Sequence, residues 1–391
     1  MSDVYIVEAK RTAIGTFGGS LEPLSAIDLG VTVVKEVMNN LGLNNDDVDE
    51  VIMGNVFKAG LKGNPARQVA IHAGLHEATP AITIDKQCGS GLKALMLGAN
   101  EIRLGQADLV ITGGIESMSN VPHVVLNGRW GSKLGDLKTV DSLLYDGLHC
   151  ALENVQMGVT AENLAKKYNI SREEQDEYAL RSQERAAQAI ESGRFNDEIV
   201  PVTIKGRKGE TVFAVDEHPR KTTLDKLGSL PAVFQKDGTV TAGNASGLND
   251  GAAVVVLASE KAVKEHNLQP IGKVVSYASA AVDPSIMGIG PVPASQKALQ
   301  LANMTIDDID LVEVNEAFAA QVLAVNKELN IADDKLNVNG GAIALGHPVG
   351  CSGSRIVVSL LHELKKRNEK LGLASLCIGG GQGVTTIIES I

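Results

Sequence analysis

The 391-residue chain carries 36 Lys and Arg against 47 Asp and Glu, a formal net charge of −11, and 44% of its residues are hydrophobic. These values exclude a disordered chain and argue against nucleic acid or an anionic membrane as a partner, and no apolar run approaches the roughly 18 residues of a membrane span. We expect a globular protein of two or three domains, at roughly 150 residues per domain, with the cytoplasm as its default location.

Short apolar runs that alternate with helical patterns predict an α/β fold. Aromatic residues make up only 3% of the chain while glycine reaches 41 residues, so the core must be aliphatic and the turns tight. The alternation covers residues 1–118 and roughly 268–391, as in ADLVITGG at 107–114 and LASLCIGGG at 373–381. Such runs are typical of buried parallel strands.

The segment between these regions, residues 119–248, is more polar and predicts loops and helices laid over the α/β scaffold. One helix is clear, because Ser171 and Glu174 have the spacing of a capping box and Gly193 supplies a C-terminal stop. In the same segment, Arg220 and Lys221 are the best candidates for contacting an anionic cofactor, with a solvated basic turn as the alternative.

An internal repeat relates the two ends of the chain. Residues 46–57, DDVDEVIMGNVF, align with 307–318, DDIDLVEVNEAF, with five identities in twelve. One residue out of that register, GSG at 89–91 meets CSG at 351–353. We infer two copies of one α/β half. The first copy is 1–118 plus 249–267, the second is 268–391, and 119–248 is an insertion.

The repeat also predicts where chemically reactive side chains meet. If a pseudo-two-fold axis relates the two halves, corresponding loops lie near that axis. Cys88 would then share one pocket with Asn315, His347 and Cys377, although these four residues are distant in the sequence.

Each of these residues suits a step of covalent catalysis. Cys88 precedes a predicted helix, whose free N–H groups and dipole favour thiolate over thiol. His347 could take the cysteine proton and later donate to an oxyanion, and Cys377 could transfer a second proton. Asn315 could orient a water or a carbonyl. Taken singly, each residue also has a purely structural interpretation. Cys88 could be a buried cysteine in a turn and His347 a turn residue. Cys377 could be a small residue that ends a strand, and Asn315 could be a helix cap.

Metal and dinucleotide sites are not expected. His72 and His76 have i,i+4 spacing, but no third ligand is evident. The glycines at 379–383 do not form GxGxxG followed by the acidic residue of a nucleotide fold.

Three motifs make the chain resemble the thiolase family along essentially its whole length: KQCGSGLKA at 86–94, NVNGGAIALGHPVGCSG at 337–353 and LASLCIGGGQG at 373–383. NEAF at 315–318 and TAGNASGLNDGAA at 241–253 support it. The resemblance implies two duplicated halves in a layered αβαβα core, with 119–248 as a loop domain that binds coenzyme A. It also implies coenzyme A thioesters as substrates, no tightly bound cofactor, and a homotetramer built from dimers through a segment similar to 119–145.

By position, the resemblance makes Cys88 the acylated nucleophile, His347 its activator and Cys377 the proton-transfer residue. One oxyanion hole would pair His347 with a water held by Asn315, and the other would use the N–H groups of Cys88 and Gly379. Arg220 would contact a phosphate. The pantetheine tunnel would be lined by Leu148, Met157, Phe234, Ser246, Met287, Ala317 and Phe318.

The implied activity is an acyl transfer that condenses two acetyl-CoA into acetoacetyl-CoA and free CoA, reversibly. A degradative 3-ketoacyl-CoA thiolase of broader chain length is the alternative, since it shares every catalytic residue. A non-catalytic protein that binds CoA or lipid on the same fold is a third reading. Gln156 and Asp85 depart from the common family pattern, which has His and Asn at these positions.

Overall fold

Helices and strands alternate along nearly the whole chain in the computed structural model, which describes residues 3–207 and 209–391. The strands are β1 (Tyr5–Thr12), β2 (Gly15–Thr16), β3 (Glu50–Gly54), β4 (Ala81–Ile84), β5 (Leu109–Ser117), β6 (His123–Val125), β7 (Thr139–Asp141), β8 (His149–Cys150), β9 (Val155–Gln156), β10 (Ile199–Val200), β11 (Val202–Gly206), β12 (Gly209–Phe213), β13 (Asn249–Ala258), β14 (Gly272–Ala281), β15 (Leu311–Val314), β16 (Leu371–Ile378) and β17 (Gln382–Ser390). The helices are α1 (Ala26–Leu41), α2 (Pro65–Ala73), α3 (Ser90–Arg103), α4 (Met157–Tyr168), α5 (Arg172–Glu191), α6 (Leu224–Gly228), α7 (Glu260–Glu265), α8 (Pro291–Ala302), α9 (Ala319–Leu329), α10 (Ala342–Leu345) and α11 (Ser352–Arg367).

Eleven strands form one mixed sheet in the order β15-β16-β17-β14-β1-β13-β5-β3-β4, with β10 added to β1 and β2 to β13. The two halves of the sheet join where β1 and β14 pair, at Tyr5 with Lys273 and Ile6 with Gly272. Moving outward from this junction, β1, β13, β5 and β3 on one side correspond to β14, β17, β16 and β15 on the other. The repeated order supports the duplication inferred from the sequence.

The prediction of parallel strands holds for only part of each half. β3 is parallel to β4 and β5, and β15 is parallel to β16. β5 and β13 are antiparallel, as are β16 and β17. The short turn between β16 and β17 requires this direction, since parallel neighbours need a long crossover connection.

The helices complete five layers. α3 and α11 share one core cluster with residues of both halves of the sheet, including Val255 and Leu376. α1 and α2 cover the outer face of the first half, and α8 and α9 cover the outer face of the second. The layered αβαβα arrangement predicted for the chain is therefore confirmed.

Two glycines mark the place where the halves meet. A Cβ on Gly91 of α3 would lie 2.8 Å from the backbone nitrogen of Ser354, and one on Gly353 of α11 would overlap the backbone nitrogen of Leu92. Positions 91 and 92 correspond to 353 and 354 in the repeat, so the contact is reciprocal. Any larger side chain would force these two central helices apart.

The segment between β5 and β13 contains helices and three short hairpins. The helix predicted after Ser171 is confirmed as α5, where Ser171 and Glu174 form both bonds of the capping box. Gly193 follows the end of α5 with a φ of 70°. The hairpins β6–β7, β8–β9 and β11–β12 were not predicted, because strands of two to five residues show little periodicity. The proposed division into halves and insertion stays a prediction.

A buried ion cluster fastens this segment to β1. Arg11 is fully buried, and its Nε lies 2.6 Å from Oε1 of Glu198. Its two terminal nitrogens bind the carboxylate of Asp216 at 2.7 and 2.9 Å. Both carboxylates come from residues that follow α5, and the ring of Phe195 lies 5.0 Å from the guanidinium. The guanidinium is thus paired and hydrogen-bonded, as a buried charge must be.

Within the described ranges, no helix is long and apolar enough to cross a membrane.

α2 ends at Ala73 with Gly74 as its cap, so His76 does not lie on the helix that carries His72.

Candidate active site

The turn between β4 and α3 carries Cys88 into the interior of the molecule. Cys88 is partly buried and packs against an apolar cluster that contains Val349, Leu148 and Leu248. The next residue is Gly89, and a Cβ there would lie 2.6 Å from Cδ1 of Ile378. The missing side chain therefore lets the Cys88 turn approach the end of β16, where Cys377 lies.

His347 reaches the same region from the second half. It follows the single-turn helix α10 and precedes α11, so it lies in a loop between helices rather than directly after a strand. Its backbone N–H donates to Oδ1 of Asn249 at 2.9 Å. The side chain is buried and lines a cavity of about 150 Å³.

The predicted tunnel residues all belong to the lining of this cavity or to the apolar cluster beside it. The cavity lining is Met118, Leu144, Leu148, Gln156, Met157, Gly158, Phe234, Ala245, Ser246, Gly247, Leu248, Phe318, His347 and Val349. Cys377 is fully buried in a cluster with Met287, Ala317 and Phe318, against which Met157 and Phe234 pack. The structure therefore brings all the predicted tunnel residues together around one apolar pocket.

Burial, more than the helix dipole, determines the protonation of Cys88. Removal from water raises the pKa of the Cys88 thiol to about 11. The backbone N–H groups of Gly379 and of Cys88 itself face the sulfur and oppose this shift without overcoming it. Burial therefore opposes the thiolate that the helix start is expected to favour. Cys88 is a thiol at neutral pH and needs a base.

His347 has the protonation state of such a base. Burial, assisted by the positive charge of Arg355, lowers the pKa of the imidazole to about 3. The ring is therefore neutral at pH 7 and has one nitrogen free to accept a proton. Its Nδ1 lies 2.5 Å from Oγ of Ser352.

Cys377 is also protonated in the free protein. Burial raises the pKa of its thiol well above the usual value, and the nearby charge of an ionised Cys88 would raise it further. His347 lines the apolar pocket, and the two thiols pack in or against the apolar clusters beside it. The charge of an ionised Cys88 raises the pKa of Cys377, so at most one of the thiols can be ionised at a time without high cost.

Asn315 directly follows β15 and lies beside β16, where its backbone N–H donates to the carbonyl of Ser375 at 2.9 Å. It is not the cap of α9, which begins at Ala319. Its Oδ1 and Nδ2 are buried, and neither has a hydrogen-bond partner among the described residues. Since an unpaired buried amide is costly, this side chain fits a role in holding a water or a substrate oxygen.

Arg220 does not line the apolar pocket. It lies with Lys221 in a separate groove of about 500 Å³ along α5, and its backbone N–H donates to Oε1 of Gln183 at 2.8 Å. The ring of His218, two residues before Arg220, reaches the apolar pocket. A Cβ on Gly247, which lines that pocket, would collide with the ring. Arg220 therefore lies outside the apolar pocket.

Sequence reasoning missed Glu116. This buried carboxylate accepts bonds from Nδ2 of Asn55 at 2.7 Å, from the backbone N–H groups of Val56 and Phe57, and from that of Gly350 at 2.9 Å. It thereby joins a loop of the first half to the loop of His347. The available signal was a charged residue at the end of an otherwise apolar strand, in LVITGGIES.

Comparisons with known proteins cover nearly the whole chain. Family models described as the thiolase N-terminal domain and the thiolase C-terminal domain match residues 4–261 and 268–390. An acetyl-CoA acetyltransferase of Escherichia coli is 54% identical over 393 residues, covering all of both chains.

Two solved structures share the fold over the whole chain. The crystal structure of the Bacillus anthracis acetyl-CoA acetyltransferase has a TM-score of 0.98 and 49% identity, and 99% of that chain is covered. Human mitochondrial 3-ketoacyl-CoA thiolase in complex with CoA has a TM-score of 0.96 and 50% identity, with 98% covered.

Proposed function

This chain belongs to the thiolase family, and on that premise we propose that it is an acyltransferase that condenses two acetyl-CoA into acetoacetyl-CoA and CoA, reversibly. One observation carries the proposal: Cys88 and Cys377 lie close enough for the charge of one to shift the pKa of the other, and both pack in or against the apolar clusters that line the cavity of the neutral His347. Full-length relatives named acetyl-CoA acetyltransferase support the choice of substrate. Coenzyme A thioesters enter as substrates, and no tightly bound cofactor is required.

The proposed reaction is easiest to follow in the thiolytic direction. Nε2 of His347 takes the proton of Cys88, and the sulfur attacks the 3-keto carbon of acetoacetyl-CoA. The carbon–carbon bond then breaks, which leaves acetyl-Cys88 and the enolate of acetyl-CoA. Cys377 protonates the enolate carbon and becomes a thiolate. That thiolate takes the proton of incoming CoA, whose sulfur displaces the acetyl group as acetyl-CoA, and Cys88 recovers its proton from His347.

Two groups of donors would stabilise the negative oxygens. The N–H groups of Cys88 and Gly379 already face the sulfur of Cys88, which supports a role at the oxygen of the tetrahedral intermediate. Protonated His347 and a water on Asn315 would serve the enolate oxygen. The unpaired amide of Asn315 supports this second assignment.

The pantetheine arm would run along the cavity past Leu148, Phe234 and Ser246. The nucleotide end would then extend toward Arg220 and Lys221, in the separate groove along α5. A coenzyme A phosphate on this groove stays a prediction.

The chain-length range is the first property to measure. Met157, Met287 and Phe318 pack around the fully buried Cys377, so a longer acyl chain beside its sulfur would have to displace them. We expect kcat/KM for CoA-dependent thiolysis of acetoacetyl-CoA to exceed that for a medium-chain 3-ketoacyl-CoA by about 10-fold or more, because each misfitting methylene costs roughly 1–3 kcal/mol.

The same assay separates the alternatives. Comparable or better use of the medium-chain substrate would favour a degradative 3-ketoacyl-CoA thiolase. The 50% identity to human mitochondrial 3-ketoacyl-CoA thiolase supports this alternative. Absence of turnover with both substrates, and of acylation by acetyl-CoA, would favour a non-catalytic protein that binds CoA or lipid.

We propose a homotetramer built from dimers, with the segment 119–145 at the contact between dimers. Trp130 is 86% exposed and Leu134 96% exposed, both between β6 and β7, and Leu137 is 54% exposed. Large apolar side chains grouped on a surface are typical of an interface. The cytoplasmic location stays a prediction, which fractionation of the source cells would test.

We expect the double variant Trp130→Asp, Leu134→Asp to sediment as a dimer, because two carboxylates would have to be desolvated in the contact. Analytical ultracentrifugation measures the change. Leu104→Asp is the matched control, since Leu104 is 72% exposed at the end of α3. An unchanged tetramer in the double variant, or a monomeric wild type, would contradict the proposed assembly.

A further inference from the structure

The side chain that binds His347 is Ser352, the first residue of α11. Oγ of Ser352 lies 2.5 Å from Nδ1 of His347 and 2.8 Å from the carbonyl oxygen of Pro348. The backbone N–H of Ser352 binds that same carbonyl at 2.9 Å. Ser352 is fully buried, so no bulk water competes for its hydroxyl.

Two arrangements fit the single proton of the hydroxyl, and the bond that Ser352 donates to Pro348 favours one of them. The hydroxyl of Ser352 has one proton, and the carbonyl of Pro348 can only accept. When that proton goes to Pro348, Oγ can only accept from the imidazole, and Nδ1 must carry the hydrogen. A neutral imidazole has a single N–H, so Nε2 is left with its lone pair.

The internal repeat provides a related arrangement, in which the serine donates to the carbonyl three residues before it rather than four. Ser90 is the counterpart of Ser352 in the first half, two residues after Cys88. Its Oγ donates to the carbonyl of Gln87 at 2.7 Å and accepts from the backbone N–H of Lys86 at 2.8 Å. A backbone N–H can only donate, so the direction is unambiguous there. In the second half the ring of His347 takes the place of that N–H.

We propose that Ser352 is a positioning residue that holds His347 as the tautomer with hydrogen on Nδ1, leaving Nε2 as the nitrogen that exchanges the proton of Cys88. The proposal rests on the proposed thiolase reaction. Nε2 would first accept the proton of Cys88 and then offer that N–H to the enolate oxygen. One fixed ring orientation therefore serves both steps.

The tautomer itself can be observed without turnover. In protein labelled with ¹⁵N-histidine, NMR distinguishes protonated from unprotonated ring nitrogens, and a His347→Gln sample identifies the signals of His347. We expect a protonated Nδ1 and an unprotonated Nε2 at pH 7 in the wild type. Hydrogen on Nε2 instead would overturn the proposal even if the enzyme is a thiolase.

Kinetics test the consequence. We expect Ser352→Ala to lower kcat for acetoacetyl-CoA thiolysis and the rate of Cys88 alkylation by iodoacetamide together, by about 10- to 100-fold, with KM nearly unchanged. Ser352→Thr keeps the hydroxyl and should restore most of both rates. Ser359→Ala is the matched control, because it removes another buried hydroxyl of α11, one that binds Glu198 at 2.9 Å.

The outcomes are separable. Wild-type rates in Ser352→Ala, or equal losses in Ser352→Ala and Ser359→Ala, would overturn the positioning role. A wild type that turns over no thioester would refute the proposed reaction instead, while the NMR result would still decide the tautomer.

Discussion

Cys88→Ser is expected to form no acyl-enzyme with acetyl-CoA and to lower kcat for thiolysis by about 10⁴-fold or more, because a serine hydroxyl is a far weaker nucleophile than the thiol beside a neutral imidazole.

Cys377→Ala is expected to affect a different step. Its Cys88 and His347 are intact, so it should still acylate, yet the carbon–carbon step should slow by about 10²- to 10⁴-fold for want of a proton donor.

Intact-protein mass after mixing with acetyl-CoA, followed by steady-state thiolysis, measures both effects. Cys351→Ala is the matched control, since Cys351 is a buried thiol between the two halves and outside the pocket. We expect wild-type acylation and turnover from it. Acylation of Cys88→Ser at the wild-type extent would contradict the nucleophile, and full turnover by Cys377→Ala would contradict its proton transfer.

Arg11→Met is expected to lower the free energy of unfolding by roughly 3–5 kcal/mol, because it leaves the carboxylates of Glu198 and Asp216 buried without their cation. Arg11→Lys should lose less, since it keeps the charge but cannot bind Asp216 with two nitrogens. Urea unfolding measures the difference.

The control for Arg11 is Lys35→Met, which removes an exposed cation of α1. We expect it to change the free energy of unfolding by no more than about 0.5 kcal/mol. If Arg11→Met cost as little as Lys35→Met, the ion cluster would not be what fastens residues 198 and 216 to β1.

The predicted architecture could be obtained from the sequence because local patterns repeat. Apolar runs gave the positions of β5, β15 and β16, and the capping box gave α5. The repeat at 46–57 and 307–318 predicts the two duplicated halves of the fold. Strand direction was less accessible, because a buried strand has the same apolar pattern whether its neighbour is parallel or antiparallel.

The candidate site, like the fold, was predictable from the sequence only in part. The sequence by itself determined which residue types are available, Cys88, His347, Cys377 and Asn315, since the motifs and the repeat identify them. Only the tertiary structure decided their protonation. Burial keeps Cys88 a thiol and His347 neutral, and burial depends on side chains far apart in the chain. The partners of Arg11, Glu116 and His347 were likewise decided by folding, because a hydrogen bond between distant segments leaves no periodic trace in the sequence.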